Sequence, residues 1–207
     1  MKKIIYLIGF LLFLWLLATF YAQLSGEQET VILPVSKSDM SAIVIYNPDP
    51  FYNLDEQVCM SLGKGLQREG IEATVMTTKN LYNLTKKYDL YIFCANTYNY
   101  APDWLVSRAI KKMNLSNENT VAITLGAGST DRAQRKVEDL LVKANARILG
   151  SKAIWWWKTN DERRRSESNI LVANQMAEGF GVVMARKLRE SLSNKRNKRN
   201  EYKKYKP

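Results

Sequence analysis

The stretch Ala42-Ile43-Val44-Ile45-Tyr46 is an unbroken apolar run, with Ser41 before it and Asn47 after it. Such a run is typical of a strand that is buried on both faces, as in a parallel sheet. Runs of similar character recur along the chain, each separated from the next by a polar or helical segment. We predict strands over residues 42–46, 72–77, 88–94, 120–125 and 147–156.

Helical periodicity separates most of these strands. In residues 53–69 the apolar positions Leu54, Val58, Leu62 and Leu66 recur every four residues, and Gly70 marks the end of the helix. Asn53 and Glu56 have the spacing of a capping box. Further helices are predicted behind Pro102, from Thr130, and from about Ser168. Because strands and helices alternate about five times, we predict a doubly wound parallel sheet in a domain over residues 41–192.

The N-terminal segment has the character of a membrane anchor. Residues 4–24 carry no charge, and as a helix they would span roughly 31 Å, about the thickness of the hydrocarbon core. We predict a single-pass anchor over residues 1–24 and a polar linker over residues 25–40. A cleaved signal peptide is the alternative, but Phe20-Tyr21-Ala22 places a large side chain where cleavage favours small ones.

Positive charge is concentrated at the C-terminus. Residues 186–207 hold ten Lys or Arg and two Glu, and we predict a basic, disordered tail over residues 193–207. Such a tail suits anionic lipid or is simply solvated, whereas nucleic acid is disfavoured because no recognition motif accompanies the charge. Lys2 and Lys3 place the N-terminus inside by the positive-inside rule, whereas a lipid-bound tail places the domain inside. The side of the membrane is therefore left open.

The composition excludes several kinds of catalytic site. The chain of 207 residues has no His and two Cys, so zinc sites and Ser-His-Asp or Cys-His machinery lack their components. We predict neither catalytic side chains nor metal ligands. Cys59 and Cys94 stand in apolar surroundings far apart in sequence, and we expect both to be buried free thiols.

Several segments together resemble the flavodoxins and flavodoxin-like FMN reductases. They are Val44-Ile45-Tyr46, the run from Tyr88 to Cys94, Thr97-Tyr98-Asn99 with Pro102 behind it, and the run from Thr124 to Ser129. The resemblance covers about residues 42–188. It implies a flavodoxin-like five-stranded sheet of order 2-1-3-4-5, with FMN held by three loops at the carboxyl ends of the strands.

The resemblance also implies which residues bind the cofactor. The first loop would hold the phosphate through Asn47, Tyr52 and Asn53, and the other two loops would flank the flavin ring. Those two loops contribute Thr97, Tyr98, Asn99, Tyr100, Gly126, Ala127, Gly128 and Ser129. The first loop departs from the family pattern of Ser, Thr and Gly, because Pro48 and Pro50 lack amide donors and Asp49 adds negative charge.

Three functions agree with this sequence. The first is a membrane-anchored, FMN-binding electron-transfer protein with a protein redox partner. The second is a flavin-free binding or assembly module at the membrane, which the acidic first loop favours. The third is an FMN-dependent reductase that uses a nicotinamide donor, and the sequence does not separate it from the first. The triplet Trp155-Trp156-Trp157 is unusual, and we expect it to pack at a sheet edge or to contact a partner, the membrane or a flavin.

Overall fold

The computed structural model describes residues 2–24 and 26–204. Its helices are α1 (Lys2–Ala22), α2 (Leu54–Arg68), α3 (Trp104–Lys112), α4 (Asp131–Lys143) and α5 (Asn169–Lys204). Its strands are β1 (Thr30–Leu33), β2 (Ser41–Tyr46), β3 (Glu72–Thr77), β4 (Leu90–Tyr98), β5 (Ala101–Pro102), β6 (Asn119–Gly126) and β7 (Arg147–Trp155). Two short 3₁₀ segments, Thr78–Asn83 and Glu162–Arg164, follow β3 and β7.

The five predicted strands form one parallel sheet in the predicted order. The sheet runs β1-β3-β2-β4-β6-β7, so its parallel part, numbered in chain order, reads 2-1-3-4-5. Two strands were not predicted: β1 pairs antiparallel with the outer edge of β3, and the two-residue β5 pairs antiparallel with the end of β4. The predicted fold class is confirmed, with these two additions.

Helices cover both faces of the sheet. Side chains of β2 alternate between the faces: Val44 packs in the core under α2 and α5, and Ile43 and Ile45 pack in the core under α3 and α4. All three are fully buried, as an apolar run between two helical layers requires. Cys59 and Cys94 are both buried and free, as predicted.

Two boundaries differ from the sequence-based prediction. Residues 30–33, assigned to the linker, form β1, because Thr30-Val31-Ile32-Leu33 suits a strand and the edge of β3 offers it unpaired backbone groups. Residues 193–204, assigned to a disordered tail, continue α5. Once a helix is anchored by packing, each further residue adds one hydrogen bond, and Lys, Arg and Glu have high helix propensity.

Helix α1 has 21 residues and is long and apolar enough to cross a membrane, judged by length and composition. Its C-terminal end lies against the loops at the carboxyl edge of the sheet. The Gln23 side chain is 4% exposed, and its Oε1 accepts a hydrogen bond from the backbone N–H of Trp104 at 2.8 Å. The chain is then held by Glu29, whose N–H donates to Thr77 Oγ1, and by β1. The described part of the predicted linker is therefore attached to the domain.

Candidate functional site

The loops at the carboxyl ends of β2, β4 and β6 enclose a cleft of about 390 Å³. The cleft lies where the chain, after adding β3 on one side of β2, returns to add β4 on the other, which is where open α/β sheets bind their ligands. Five predicted site residues line it: Tyr52, Thr97, Tyr98, Gly126 and Ala127. The remaining lining residues are Asp49, Phe51, Leu54, Asn96, Leu125 and Trp156.

The other predicted ring-loop residues lie around a second, more open depression. Asn99, Tyr100, Gly128 and Ser129 line it, together with Trp157 and Lys158. Asn99 and Tyr100 both have a positive φ, of 51° and 59°, because the chain reverses there between β4 and β5. Thr97 and Ala127 line both cavities, so the β4 and β6 loops separate the two.

Asn47 and Asn53 lie outside the cleft. Asn47 is fully buried beneath the first loop, where its backbone carbonyl accepts from Asn96 Nδ2 at 2.9 Å. Asn53 faces a neighbouring depression that also contains Glu56 and Lys79. Its side chain does not form the predicted cap of α2, because Asn53 Oδ1 accepts from Gln57 Nε2 instead.

The backbone N–H groups of the first loop already donate hydrogen bonds to carboxylates. Pro48 and Pro50 have no amide hydrogen, the Asp49 N–H donates to Asp55 Oδ2 at 2.6 Å, and the Phe51 N–H donates to Asp49 Oδ1 at 2.7 Å. Asp49 also reaches across the cleft, where its Oδ2 accepts from the Tyr98 hydroxyl at 2.7 Å. Every backbone amide between residues 48 and 51 is therefore absent or already bonded.

Two buried carboxylates lie beneath this loop and share one asparagine. Asn96 donates from Nδ2 to Asp55 Oδ2 at 2.9 Å and from its backbone N–H to Asp103 Oδ2 at 3.0 Å. Asp103 also caps α3 by accepting from the Val106 N–H. Burial raises the pKa of Asp55 to about 6 and that of Asp103 to about 7, although the hydrogen bonds from Asn96 and the backbone oppose the increase.

These two groups predict a pH-dependent stability. An Asp in the unfolded chain titrates at about pH 4, whereas Asp55 and Asp103 in the folded chain have raised pKa values. Between these limits the folded chain binds more protons than the unfolded chain. The free energy of unfolding therefore falls as the pH rises through this window. We expect a higher melting temperature at about pH 5 than at about pH 8 by circular dichroism. Asp103→Asn should flatten this profile while lowering stability, and a profile that rises with pH would contradict the assignment.

Aromatic side chains form the wall of the cleft. The rings of Tyr52 and Trp156 lie 5.3 Å apart between centroids, and both line the cavity. Trp156 leaves the end of β7, where its N–H donates to the Gly126 carbonyl at 3.0 Å. Asn169, the first residue of α5, donates from Nδ2 to the carbonyls of Trp155, Trp156 and Lys158, which fixes the path of this segment.

The cleft suits a flat ring better than it suits a phosphate group. Tyr52, Tyr98 and Trp156 offer aromatic surface, and the Thr97 hydroxyl is buried without a hydrogen-bond partner in the described part of the chain. For a phosphate, the amides of Tyr52 and Asn53 at the start of α2 make no hydrogen bond among the described residues, but Asp49 and Asp55 stand beside them.

The residues predicted from the sequence did not include Trp156, Asn96 or Asp103. Trp156 was noted only as part of an aromatic triplet, and its place in the cleft depends on the turn that follows β7. The sequence around Asn96 and Asp103 does not indicate a role in the site, because a polar residue at a strand end and an Asp before a helix occur in many loops. Their pairing arises from the fold, which brings Asp55 next to Asn96 across 41 residues of sequence.

Comparison with known proteins identifies the fold. A flavodoxin from the domain Archaea matches 72% of this chain and 99% of its own, with a TM-score of 0.53 and 12% identity. The fold is that of a flavodoxin. The flavodiiron protein of Giardia intestinalis and rubredoxin:oxygen oxidoreductase of Desulfovibrio gigas match 73% of this chain with TM-scores of 0.55 and 14% identity, over 36% and 38% of their own lengths. No family model and no curated protein sequence matches the chain.

TM-scores of 0.53 and 0.55 establish a flavodoxin-like architecture, and at identities of 12–14% the ligand has to be inferred from the residues present in this chain. The cleft occupies the position where flavodoxin-like sheets reverse their strand order, between β2 and β4. Its aromatic wall agrees with the predicted flavin ring site. Its first loop differs from the predicted phosphate site in that Asn47 is buried and Asn53 faces away from the cleft.

Proposed function

We propose that this chain is a membrane-anchored, flavin-binding electron-transfer protein, with FMN as the flavin that the flavodoxin-like fold implies. The observation that carries the proposal is the cleft at the reversal point of the sheet, which is lined by the aromatic side chains of Tyr52, Tyr98 and Trp156. A flavin bound there would supply one- and two-electron transfer. The chain itself contributes binding, orientation and the local electric field.

The side chains have separable roles in this proposal. Tyr52 and Trp156 would pack against the flat ring, and the β4 loop around Thr97 would lie beside it. The amides at the start of α2 are the remaining donors for the phosphate. The carboxylate of Asp49 lies at the cleft and disfavours additional negative charge nearby, so it would oppose both a phosphate group and an anionic form of the ring.

Helix α1 supports the membrane part of the proposal. It is exposed along its apolar length and joins the domain without a free linker over residues 26–33. A soluble chain would leave this surface in water, at a cost of roughly 25 cal/mol per Å² of apolar area. Alkaline extraction of membranes from the expressing cells should therefore leave the full chain in the membrane pellet. Recovery of a soluble, N-terminally processed form would indicate a signal peptide instead.

One observation favours a flavin-free binding module as the second candidate. Asp49 and Asp55 already satisfy the loop amides that a phosphate-binding loop would present to its ligand, and Tyr98 is bonded across the cleft to Asp49. The absorption spectrum separates the two candidates. A detergent-solubilised chain with bound oxidised flavin should absorb near about 375 and 450 nm. A colourless chain that takes up neither FMN nor riboflavin in equilibrium dialysis would support the binding module.

Trp156 and Trp157 provide a matched test of the ring site. Trp156 lines the cleft beside Tyr52, whereas Trp157 is largely exposed and lines the outer depression. Trp156→Ala should weaken flavin binding by about tenfold, since stacking contributes about 0.5–1.5 kcal/mol beyond burial. Trp157→Ala should leave the affinity within about twofold of the parent chain. Quenching of flavin fluorescence on binding measures the affinity of each variant. Equal affinities for the two variants would contradict the placement of the flavin ring in this cleft.

A further inference from the structure

Five large aromatic side chains stand exposed on the carboxyl edge of the domain. They come from the loops after β2, β4 and β7 and from the start of α3, and between 40% and 73% of each is accessible: Phe51, Tyr100, Trp104, Trp156 and Trp157. We call them the aromatic patch. Large apolar groups clustered on one edge of a small domain mark a surface that contacts another molecule or a membrane.

The patch is continuous with the apolar surface of α1. Phe20 of α1 contacts Trp104 edge to face, with the ring centroids 6.1 Å apart, and Tyr21 contacts Phe51 in the same manner at 5.9 Å. Trp15, one and a half turns further back, lines the same depression as Tyr100 and Trp157. The exposed apolar surface therefore extends from the helix onto the loops of the domain.

The end of α1 is held in this position by polar contacts. Gln23 is nearly buried and accepts from the Trp104 N–H, and β1 begins only seven residues later, on the edge of β3. A helix that crosses a bilayer emerges at the level of the headgroups. Phe51 and Trp104, which contact the last turns of α1, then lie at the same level, and Tyr100 and Trp157, which share a depression with Trp15, reach the boundary with the acyl chains.

We propose that the aromatic patch inserts into the headgroup layer of the membrane that α1 spans, so that the cleft opens at the membrane surface. Trp and Tyr are enriched at this depth because their rings are apolar and their N–H and O–H groups remain hydrated. The Lys158 ammonium lies over the Trp155 ring, 4.3 Å from its centroid, and a lysine at this depth can extend its charge to the headgroups. This proposal rests on the membrane anchor proposed above.

Aromatic burial, and not net positive charge, provides the attraction. Glu27 and Glu29 lie at the same end of the domain, and both line the depression beside Tyr21. These carboxylates offset the charge of Lys158 and Lys79, so anionic lipid gains no clear advantage over zwitterionic lipid. The insertion is therefore expected in phosphatidylcholine alone. If the aromatic patch is inserted, an electron-transfer partner must reach the cleft from within the membrane or along its surface.

Site-specific fluorescent labels test this arrangement in the full chain. Trp157→Cys and Phe51→Cys place a thiol on two different loops of the patch, and Val142→Cys places one at an exposed site near the end of α4, at the opposite edge of the sheet. Cys59 and Cys94 are fully buried and should not compete for the label. Each variant is labelled with an environment-sensitive fluorophore and reconstituted into phosphatidylcholine vesicles, some containing lipid with a nitroxide on the headgroup.

We expect the nitroxide lipid to quench the labels at residues 157 and 51 at least about threefold more than the label at residue 142. Equal quenching at the three sites, in a chain that floats with the vesicles, would overturn the insertion and leave the anchor intact. Labels at residues 157 and 51 that are shielded from water but not quenched would show that a protein covers the patch, which also overturns the proposal. A chain that does not float with the vesicles would refute the anchor as well.

Discussion

Gly65→Val should lower the free energy of unfolding by about 3 kcal/mol or more, the largest effect that we expect from any single substitution in this chain. A Cβ at Gly65 would lie 2.1 Å from the Glu178 carbonyl oxygen and 3.1 Å from the Gly181 Cα, both backbone atoms of α5. Neither can move unless α2 and α5 separate. Because α2 begins at the first loop of the cleft, separation would also disturb the site.

Gly179→Ala is the matched control for this prediction. Gly179 also lies in α5, but no atom is within 4 Å of the position of its Cβ. Alanine there should increase stability by about 0.5–1 kcal/mol, because glycine is a poor helix former. Urea denaturation followed by circular dichroism measures both variants. If Gly65→Val were as stable as the parent chain, α2 and α5 would not pack closely at this point.

Asp49→Asn should raise the affinity for FMN on the order of tenfold at low salt and leave the affinity for riboflavin unchanged. The substitution removes a negative charge beside the amides that remain free to hold a phosphate, and a carboxylate within about 6 Å of a dianion repels it by a few kcal/mol at intermediate dielectric. The asparagine Oδ1 can still accept from the Phe51 N–H, and its Nδ2 can donate to the Tyr98 hydroxyl oxygen in place of the bond that Asp49 Oδ2 accepts, so the loop should keep its shape. The gain should shrink as salt screens the repulsion.

Asp139→Asn controls for the change in net charge, since Asp139 is exposed in the middle of α4, away from the cleft. It should leave both affinities unchanged. Isothermal titration with FMN and riboflavin compares the variants directly. A loss of FMN affinity in Asp49→Asn would mean that the carboxylate maintains the binding shape of the loop through Phe51 and Tyr98.

The fold was predictable because its signals are local. Apolar runs such as residues 42–46 and the four-residue spacing in residues 53–69 arise from burial on fixed faces, so they can be counted in the sequence. Strand β1 escaped this reasoning because four residues next to the predicted anchor carry no periodicity of their own. Its partner, β3, is about 40 residues away, and only the three-dimensional edge of the sheet makes it a strand.

The site was predictable in outline and not in detail. The position of the three loops follows from the strand order, and Tyr52, Thr97, Tyr98, Gly126 and Ala127 line the cleft between them, whereas their binding of a cofactor stays a prediction. The direction of each side chain depends on non-local contacts. Asn47 is buried because Asn96 and Thr78 bond to it, and Asp49 is held by Tyr98, 49 residues away.

The length and direction of α5 determine where the basic C-terminus can act. The helix has 36 residues and spans about 54 Å, running from the carboxyl edge of the sheet, where Asn169 holds the Trp155–157 segment, to the amino edge. There Ser191 bonds to Asn119 and Lys195 to the carbonyl of Asn117. The basic residues thus leave the domain at the pole opposite to the end of α1.

The strands of the sheet separate its amino edge, where the basic residues lie, from the loops around α1 by roughly 20–30 Å. The surface potential of a membrane decays over about 8 Å at physiological ionic strength, so a bilayer spanned by α1, as proposed above, would exert little attraction on the tail. The positive charge would instead attract acidic molecules in solution and increase their rate of association. The charge of the tail consequently carries no information about which side of the membrane the domain occupies, and Lys2 and Lys3 remain as the guide to its topology.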